Sequence, residues 1–567
     1  MATTEVLAPA STPSRLAIND RFLTAYPETG RRSYYLALTV LVTVGLYYQQ
    51  YCGGTVGPQL LNYYGITIKF YLLAAVIGLV FGASTAVLGG LADRIGRVNM
   101  VAYGLLAVGV LVAFVQPHMP NKWAFVTIST LIGAVEGVIL VATPALMRDF
   151  SPRLGRATAM SSWALGPVLG SLAASEVSSH TLNHLTAWQD QFTIAGITGL
   201  VIGVLAVLTL RELDPHLRDQ IMVSTGDRDV IEQLAGTIDV DAAMTHPWRQ
   251  MITGRIVTSA FGIAVFLMFY YVLVAGLILF VETTYLFGGA KANSIANWVW
   301  VVHVASLITF GLLSDRLRVR KPLMLAGTIG SIVAVLLFLL QATRPHTTAL
   351  TLTLILAVQA VFGGMVFGPW MAGFTEQIED RNPALIATGL AVSGGVLRVV
   401  VAGTVAAFAF VVPAITPLAD FGPQVAKYSV QYAAQIRTVT ELQPATLAAL
   451  VKNPTDPVAL PAALGQIQAA EHVTASEAVS KLVAVGGASK QLAYLQRHAP
   501  AVQKALKQGP RQWQHWFLVT AIGQLIFLPL IFFMAGPWTP AAGRRRDEEL
   551  EARLHHEVGD SLIGTDR

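Results

Sequence analysis

Charge is what this chain of 567 residues has least of: Asp, Glu, Lys and Arg make up 13% of it, against 54% hydrophobic residues. Soluble domains carry about 25% charged residues, so a water-facing globular fold is excluded for most of the length. Cysteine is nearly absent. Cys52 alone rules out an internal disulfide framework or a multi-cysteine metal site. No Gly-Lys-Ser/Thr phosphate loop occurs, which argues against ATP hydrolysis, and neither His-Glu-x-x-His nor Gly-x-Ser-x-Gly is present. An enzyme is therefore not expected, and no cofactor or metal is indicated. The net charge of +5 fits basic loops beside a membrane rather than nucleic-acid binding. The first thirty or so residues lack the apolar core and cleavage site of a signal peptide and read as a polar tail.

What is there is apolar runs. A membrane span needs about 20 predominantly apolar residues. Twelve segments qualify, over 33–55, 68–91, 98–116, 122–147, 158–178, 190–210, 256–282, 292–313, 322–341, 347–373, 384–412 and 513–535. They predict an all-α, multi-pass membrane protein of two six-helix bundles. The expected order is a tail (1–32), a first bundle (33–210), a connecting loop (211–255), five spans (256–412), an insertion (413–511), a last span (512–535) and a second tail (536–567). Loops on the side of the tails hold most of the arginines, including Arg148, Arg153, Arg211 and Arg320. The opposite short loops offer only Lys69, Lys122, Lys291 and Arg344. That asymmetry predicts cytoplasmic tails in a plasma or inner membrane, with the insertion outside. Thr474-x-x-Glu477 has the form of a capping box, so the insertion reads as a small helical cap.

The chain is also doubled. Residues 89–98 read Gly-Gly-Leu-Ala-Asp-Arg-Ile-Gly-Arg-Val, and 311–321 read Gly-Leu-Leu-Ser-Asp-Arg-Leu-Arg-Val-Arg-Lys, which sets Asp93 and Asp315 222 positions apart. Tyr47-Tyr48 is echoed by Tyr270-Tyr271, and the segment around Glu136 by that around Gln359, each at an offset of 223. Repeats of this size are how many transporter folds are built.

Gly89, Asp93, Arg94, Gly96 and Arg97 match the signature loop between spans two and three of the major facilitator superfamily, which the chain resembles over all twelve spans outside the insertion. The second copy keeps Gly311, Asp315 and Arg316 but has Arg318 where the second glycine would stand. Gly166, Pro167 and Gly170 resemble part of that superfamily's antiporter motif, although Ser162 replaces its earlier glycine. The resemblance implies a two-bundle transporter working by alternating access. In it, Asp93 would meet a neighbouring helix N-terminus or an arginine, and Arg94 and Arg97 would meet acids across the bundle interface.

Three ionisable residues fall near span midpoints: Glu136, His303 and Arg398. A charge at mid-bilayer costs about 2.5–3.5 kcal/mol on insertion scales, so these groups should face a cavity or each other. Glu136 is expected to carry a proton, and Arg398 to attract an anion or neutralise Glu136. His303, a lone histidine between Trp300 and Ser306, is a site candidate but reads more readily as a packed polar residue. Tyr47, Tyr48, Gln50, Tyr270, Tyr271 and Gln359 would complete a substrate site, because spans one, four, seven and ten line the cavity in the family resembled. The expected function is proton-coupled secondary transport of a small organic solute, an anion such as a carboxylate, by a monomer whose partners are lipid, substrate and protons. An efflux antiporter for amphipathic drugs is one alternative. A membrane receptor or sensor signalling through 413–511 is another.

Overall fold

The computed structural model describes residues 21–564 apart from 183, 185–186 and 236–238; most of the expected first tail lies outside the described residues. The fold is almost wholly helical. Among the described residues nine helices are long and apolar enough to cross a membrane: Ile68–Gly89, Arg97–His118, Lys122–Asp149, Trp188–Thr209, Lys291–Leu317, Lys321–Gln341, Ala349–Glu379, Pro383–Val411 and Ser489–Phe533. The pair Gly254–Phe266 and Met268–Val274, bent by 42°, makes a tenth. Thr29–Thr55 packs beside them as span one. Span five is broken into Arg156–Trp163 and Leu165–Thr181. The set is consistent with twelve spans.

The break in span five has a cause in the sequence. A proline ring clashes with the carbonyl four residues earlier, and Pro167 directs that clash at Trp163, the last residue of the first piece. Pro167 itself then sits in a first helical turn, where its missing N–H is harmless. Close approach of spans one and five depends on glycine. A Cβ at Gly166 would lie 2.3 Å from Thr43 Cγ2, and one at Gly170 would lie 2.5 Å from Tyr47 Cβ.

The two halves meet along two seams, span two against span eleven and span five against span eight. The first and last described segments lie on one face. Phe22–Leu23 pairs in parallel with Glu212–Leu213, immediately after span six. The last helix, Pro540–Gly564, packs Leu550 and Leu554 against Leu154, Val223 and Leu234. We call this the terminal face.

On the opposite face the insertion folds as six short helices between Ile415 and Gly487. Thr474 and Glu477 form both arms of the capping box. Its outer helices enclose a small core of Leu442, Ala463, Ile467 and Ala478. The expected division near 511 is not a break: one helix, Ser489–Leu530, runs from the insertion into span twelve. Leu495, Val502 and Ala505 of that helix pack on Ala414, Leu418 and Val425.

Candidate substrate site and gate

A cavity of about 1600 Å³ runs from the middle of the bundle to the face that bears the insertion. Tyr47, Gln50 and Tyr51 line it from span one, at the three- and four-residue spacings that share a helical face. Glu136 enters from span four, Tyr271 from span seven, Trp300 from span eight and Arg398 from span eleven. Glu136 Oε2 accepts a 2.9 Å hydrogen bond from Gln50 Nε2, while Oε1 is buried without a hydrogen-bond partner among the described residues. The Arg398 side chain lies over Gly82 of span two, where a Cβ would come within 3.3 Å of Nε. Arg398 Nη1 donates to its own helix, at Gly394 O, 3.3 Å away. The two charges line one cavity and interact electrostatically, without a direct ion pair. This arrangement offers guanidinium N–H groups to an anion, with a carboxyl group nearby that can hold or release a proton.

The structure does not bring every expected residue to this wall. Tyr48 is buried beside Cys52, away from the cavity. Tyr270 stands behind Tyr271, its ring 5.4 Å from that of Tyr271 and 5.7 Å from that of Trp300. His303 bonds Ala360 O of span ten at 3.1 Å, and Gln359 is buried near it at Gly363. These two are packed polar residues between spans eight and ten. Glu282 lines the cavity nearer its mouth. Sequence reasoning missed Tyr51 and Trp300. Tyr51 had a readable signal, since it falls one helical turn after Tyr47 and the two rings lie 5.5 Å apart.

The gate lies on the terminal face. The N-terminus of a helix leaves N–H groups without partners, and each signature aspartate fills such an end in the opposite half. Asp93 accepts from Ala387 N (3.1 Å), Thr388 N (2.9 Å) and Thr388 Oγ1 (3.0 Å), the start of span eleven. Asp315 accepts from Ala157 N (3.0 Å), Thr158 N (2.7 Å) and Thr158 Oγ1 (2.7 Å), the start of span five. Gly96 has φ 107° and Arg318 has φ 53°, so the arginine that replaces the second glycine takes a left-handed backbone too. Gly89 and Gly311 let their helices close on Val141 and Ser161.

The arginines depart from expectation. Arg97 pairs with Asp93 and Asp149 of its own half, and Arg94 reaches Met244 O of the connecting loop. Neither meets an acid across the interface, because the facing end of span eleven is already held by Asp93. In the second half Arg320 bonds Asp315 at 3.0 Å and Glu376 at 2.9 Å, while Arg316 is exposed. The cross-half ion cluster centres instead on Glu379, at the end of span ten. It receives Arg148 (2.6 Å), Arg153 (2.7 Å) and Arg156 (3.2 Å), all from the first half. Arg546 of the last helix joins the cluster at Asp380 and lies 3.5 Å from Glu376. The cavity is therefore shut towards the terminal face and open towards the insertion.

The family model that describes the Major Facilitator Superfamily matches residues 39–397. The chain belongs to the major facilitator superfamily. This membership agrees with a multi-pass membrane transporter rather than an enzyme. Among solved structures, the proton:xylose symporter XylE bound to 6-bromo-6-deoxy-D-glucose aligns with a TM-score of 0.53 at 17% identity, covering 69% of this chain and 91% of that one. A double-tryptophan mutant of XylE aligns with a TM-score of 0.51 at 16% identity, covering 65% and 86%. At such identities the likeness concerns the fold. A curated relative, the efflux pump radE of Floropilus chiversii, is 30% identical over 148 residues, so the match spans about a quarter of each chain (26% of both).

Proposed function

We propose that this superfamily transporter carries organic acids, coupled to protons, by alternating access through the Glu136–Arg398 cavity. The observation that carries the reading is the pairing of two unlike groups in one cavity. Among the described residues, a guanidinium there bonds only its own helix backbone, and a carboxyl group there has one oxygen unpartnered. Removing charge from water is costly, and a substrate carboxylate at Arg398 offsets that cost. Its arrival changes the field at Glu136 and so the hold of that group on a proton. The chain ends then lie in the cytoplasm of a cell-membrane protein, and the conformation described is outward-facing. One chain encloses the whole cavity, so the monomer is the working unit.

The cavity also favours a second reading. Typical small-ligand sites occupy about 300–1,000 Å³, and this one is larger, with Leu, Ile, Val and aromatic side chains prominent on its walls. An efflux antiporter for amphipathic compounds fits that size, and the partial match to radE points the same way. Complete gate contacts in both halves disfavour a receptor that has ceased to transport. Competition decides between the transport readings: in vesicles with an imposed pH gradient, flux that benzoate and related carboxylates inhibit, and that Arg398→Gln abolishes, supports organic acids. Flux of cationic dyes insensitive to carboxylates and to Arg398→Gln would overturn that reading in favour of drug efflux.

A further inference from the structure

The cavity does not end at the membrane spans. Leu418, Val425 and Ala426 at the start of the insertion, with Val502, Gln503 and Leu506 on its long helix, line the same space as Glu136 and Arg398. None of these carries a charge, although Lys427, Lys504 and Lys507 stand beside them in sequence and are exposed outside the lining. The insertion belongs to the second half of the chain but is fastened to the first. Asp420 accepts 2.9 Å from Ile68 N, at the start of span two, and Ile68 itself lines the cavity. On span four the lining extends from Glu136 to Lys122, fourteen residues, or about 21 Å of helix. An acyl chain that fills half the hydrocarbon core of a bilayer needs about 15 Å.

We propose that the insertion forms an outer, uncharged subsite that holds the apolar tail of an amphipathic organic acid whose carboxylate sits at Arg398. The inference deepens the organic-acid reading and rests on it. Charged groups stand at the inner end and near the rim, and the walls between them are mostly apolar, with neutral polar side chains such as Ser129, Ser175 and Asn297 among them. That order matches a molecule with one charged head and a long apolar body better than a compact polar solute. Apolar burial is worth about three- to fourfold in affinity per methylene, so chain length should set affinity until the shaft is full.

The test uses the full chain in proteoliposomes, with Cys52→Ser and one new cysteine at a time, labelled by a membrane-impermeant maleimide. Ser393→Cys reports the central site, Ala426→Cys the outer subsite, and Val451→Cys, on an exposed outer helix, serves as control. Benzoate and 10-phenyldecanoate are the probes. Both should slow labelling at position 393, and only the long acid should slow it at 426, with 451 unaffected. Protection at 393 without protection at 426 overturns the outer subsite and leaves the organic-acid reading standing. No protection at 393 by either acid overturns both. Equal slowing at 426 and 451 means adsorption to the protein or lipid surface and overturns the subsite. In a second variant, Ala426→Trp fills the subsite and should weaken the long acid about tenfold, the worth of about two buried methylenes, while sparing benzoate. An equal loss for both acids would assign residue 426 a structural role only.

Discussion

Asp93→Asn tests the gate at a single group. In the closed terminal face Asp93 accepts three hydrogen bonds from the start of span eleven and is buried at 1% exposure. Asparagine keeps one acceptor oxygen and no charge, so about two of the three bonds are lost. Bonds to charged groups are worth about 1.5–3 kcal/mol each, which puts the closed state up by about 3 kcal/mol. That corresponds to a shift of about 150-fold in the closed-to-open ratio, enough to bring a protein that is about 99% closed to near parity. Spin labels at Ile95 and Leu317, equivalent and exposed positions in the two halves, would report the distance across this face. The variant should show a second, longer distance with weight comparable to the first. A folded Asp93→Asn protein with the wild-type distance distribution would refute the view that this contact holds the gate.

Other perturbations follow from the same contacts. Glu379→Gln leaves Arg148, Arg153 and Arg156 buried without their shared carboxylate, and removing one partner of such a cluster costs about 3–5 kcal/mol. The purified variant should melt at a lower temperature, and an unchanged melting point would contradict the cluster's role. Gly170→Ala forces a Cβ against the backbone and Cβ of Tyr47, a clash of about 1–3 kcal/mol that should weaken substrate binding in a flux assay; unchanged affinity would refute the fit. Asp219 sits on the terminal face 3.4 Å from Arg218 Nε, with neither carboxyl oxygen hydrogen-bonded among the described residues, and burial, only partly offset by Arg218, pushes its carboxyl up to about 6 from 3.8. The folded chain therefore binds this proton more tightly than the unfolded chain, and the group's contribution to stability falls as pH rises from 3.8 to about 6. Asp219→Asn should then be the more stable protein at pH 7, by up to about 3 kcal/mol, and should lose that advantage by pH 4. A variant that melts lower than wild type at pH 7 would show the charge to be favourable.

The spans and the doubling were legible because lipid allows few backbone solutions, and apolar runs of the right length betray them. Glu136 and Arg398 were legible for the same reason: a charge at that depth needs a cavity. His303 is the counter-example. Its backbone bond to Ala360 satisfies it between two helices, and nothing along the chain distinguishes that from a wet site. Asp93 meets a helix N-terminus, as the resemblance implied, but which helix could not be read, because that end becomes an acceptor's target only after two distant spans meet. A signal was present all the same. Ala157-Thr158 and Ala387-Thr388 open spans five and eleven with the same dipeptide, and both threonines bond the signature aspartates. Arg320 rather than Arg316 reaches Asp315, because the left-handed turn at Arg318 aims the next residues back at it. The insertion read as a cap, yet the inner part lines the cavity, placed by its packing on the long helix and by the contact between Asp420 and Ile68, which no local pattern announces.

The central claim is that Glu136 carries the coupled proton while Arg398 holds the substrate's anionic head. Proteoliposomes containing Glu136→Gln, loaded with a carboxylate the wild type transports, separate the two roles in one experiment. Exchange of labelled for unlabelled substrate at equal concentrations should persist, because binding and rocking survive, while movement driven by an imposed pH gradient should vanish. Wild-type accumulation by Glu136→Gln under the same gradient would contradict the account.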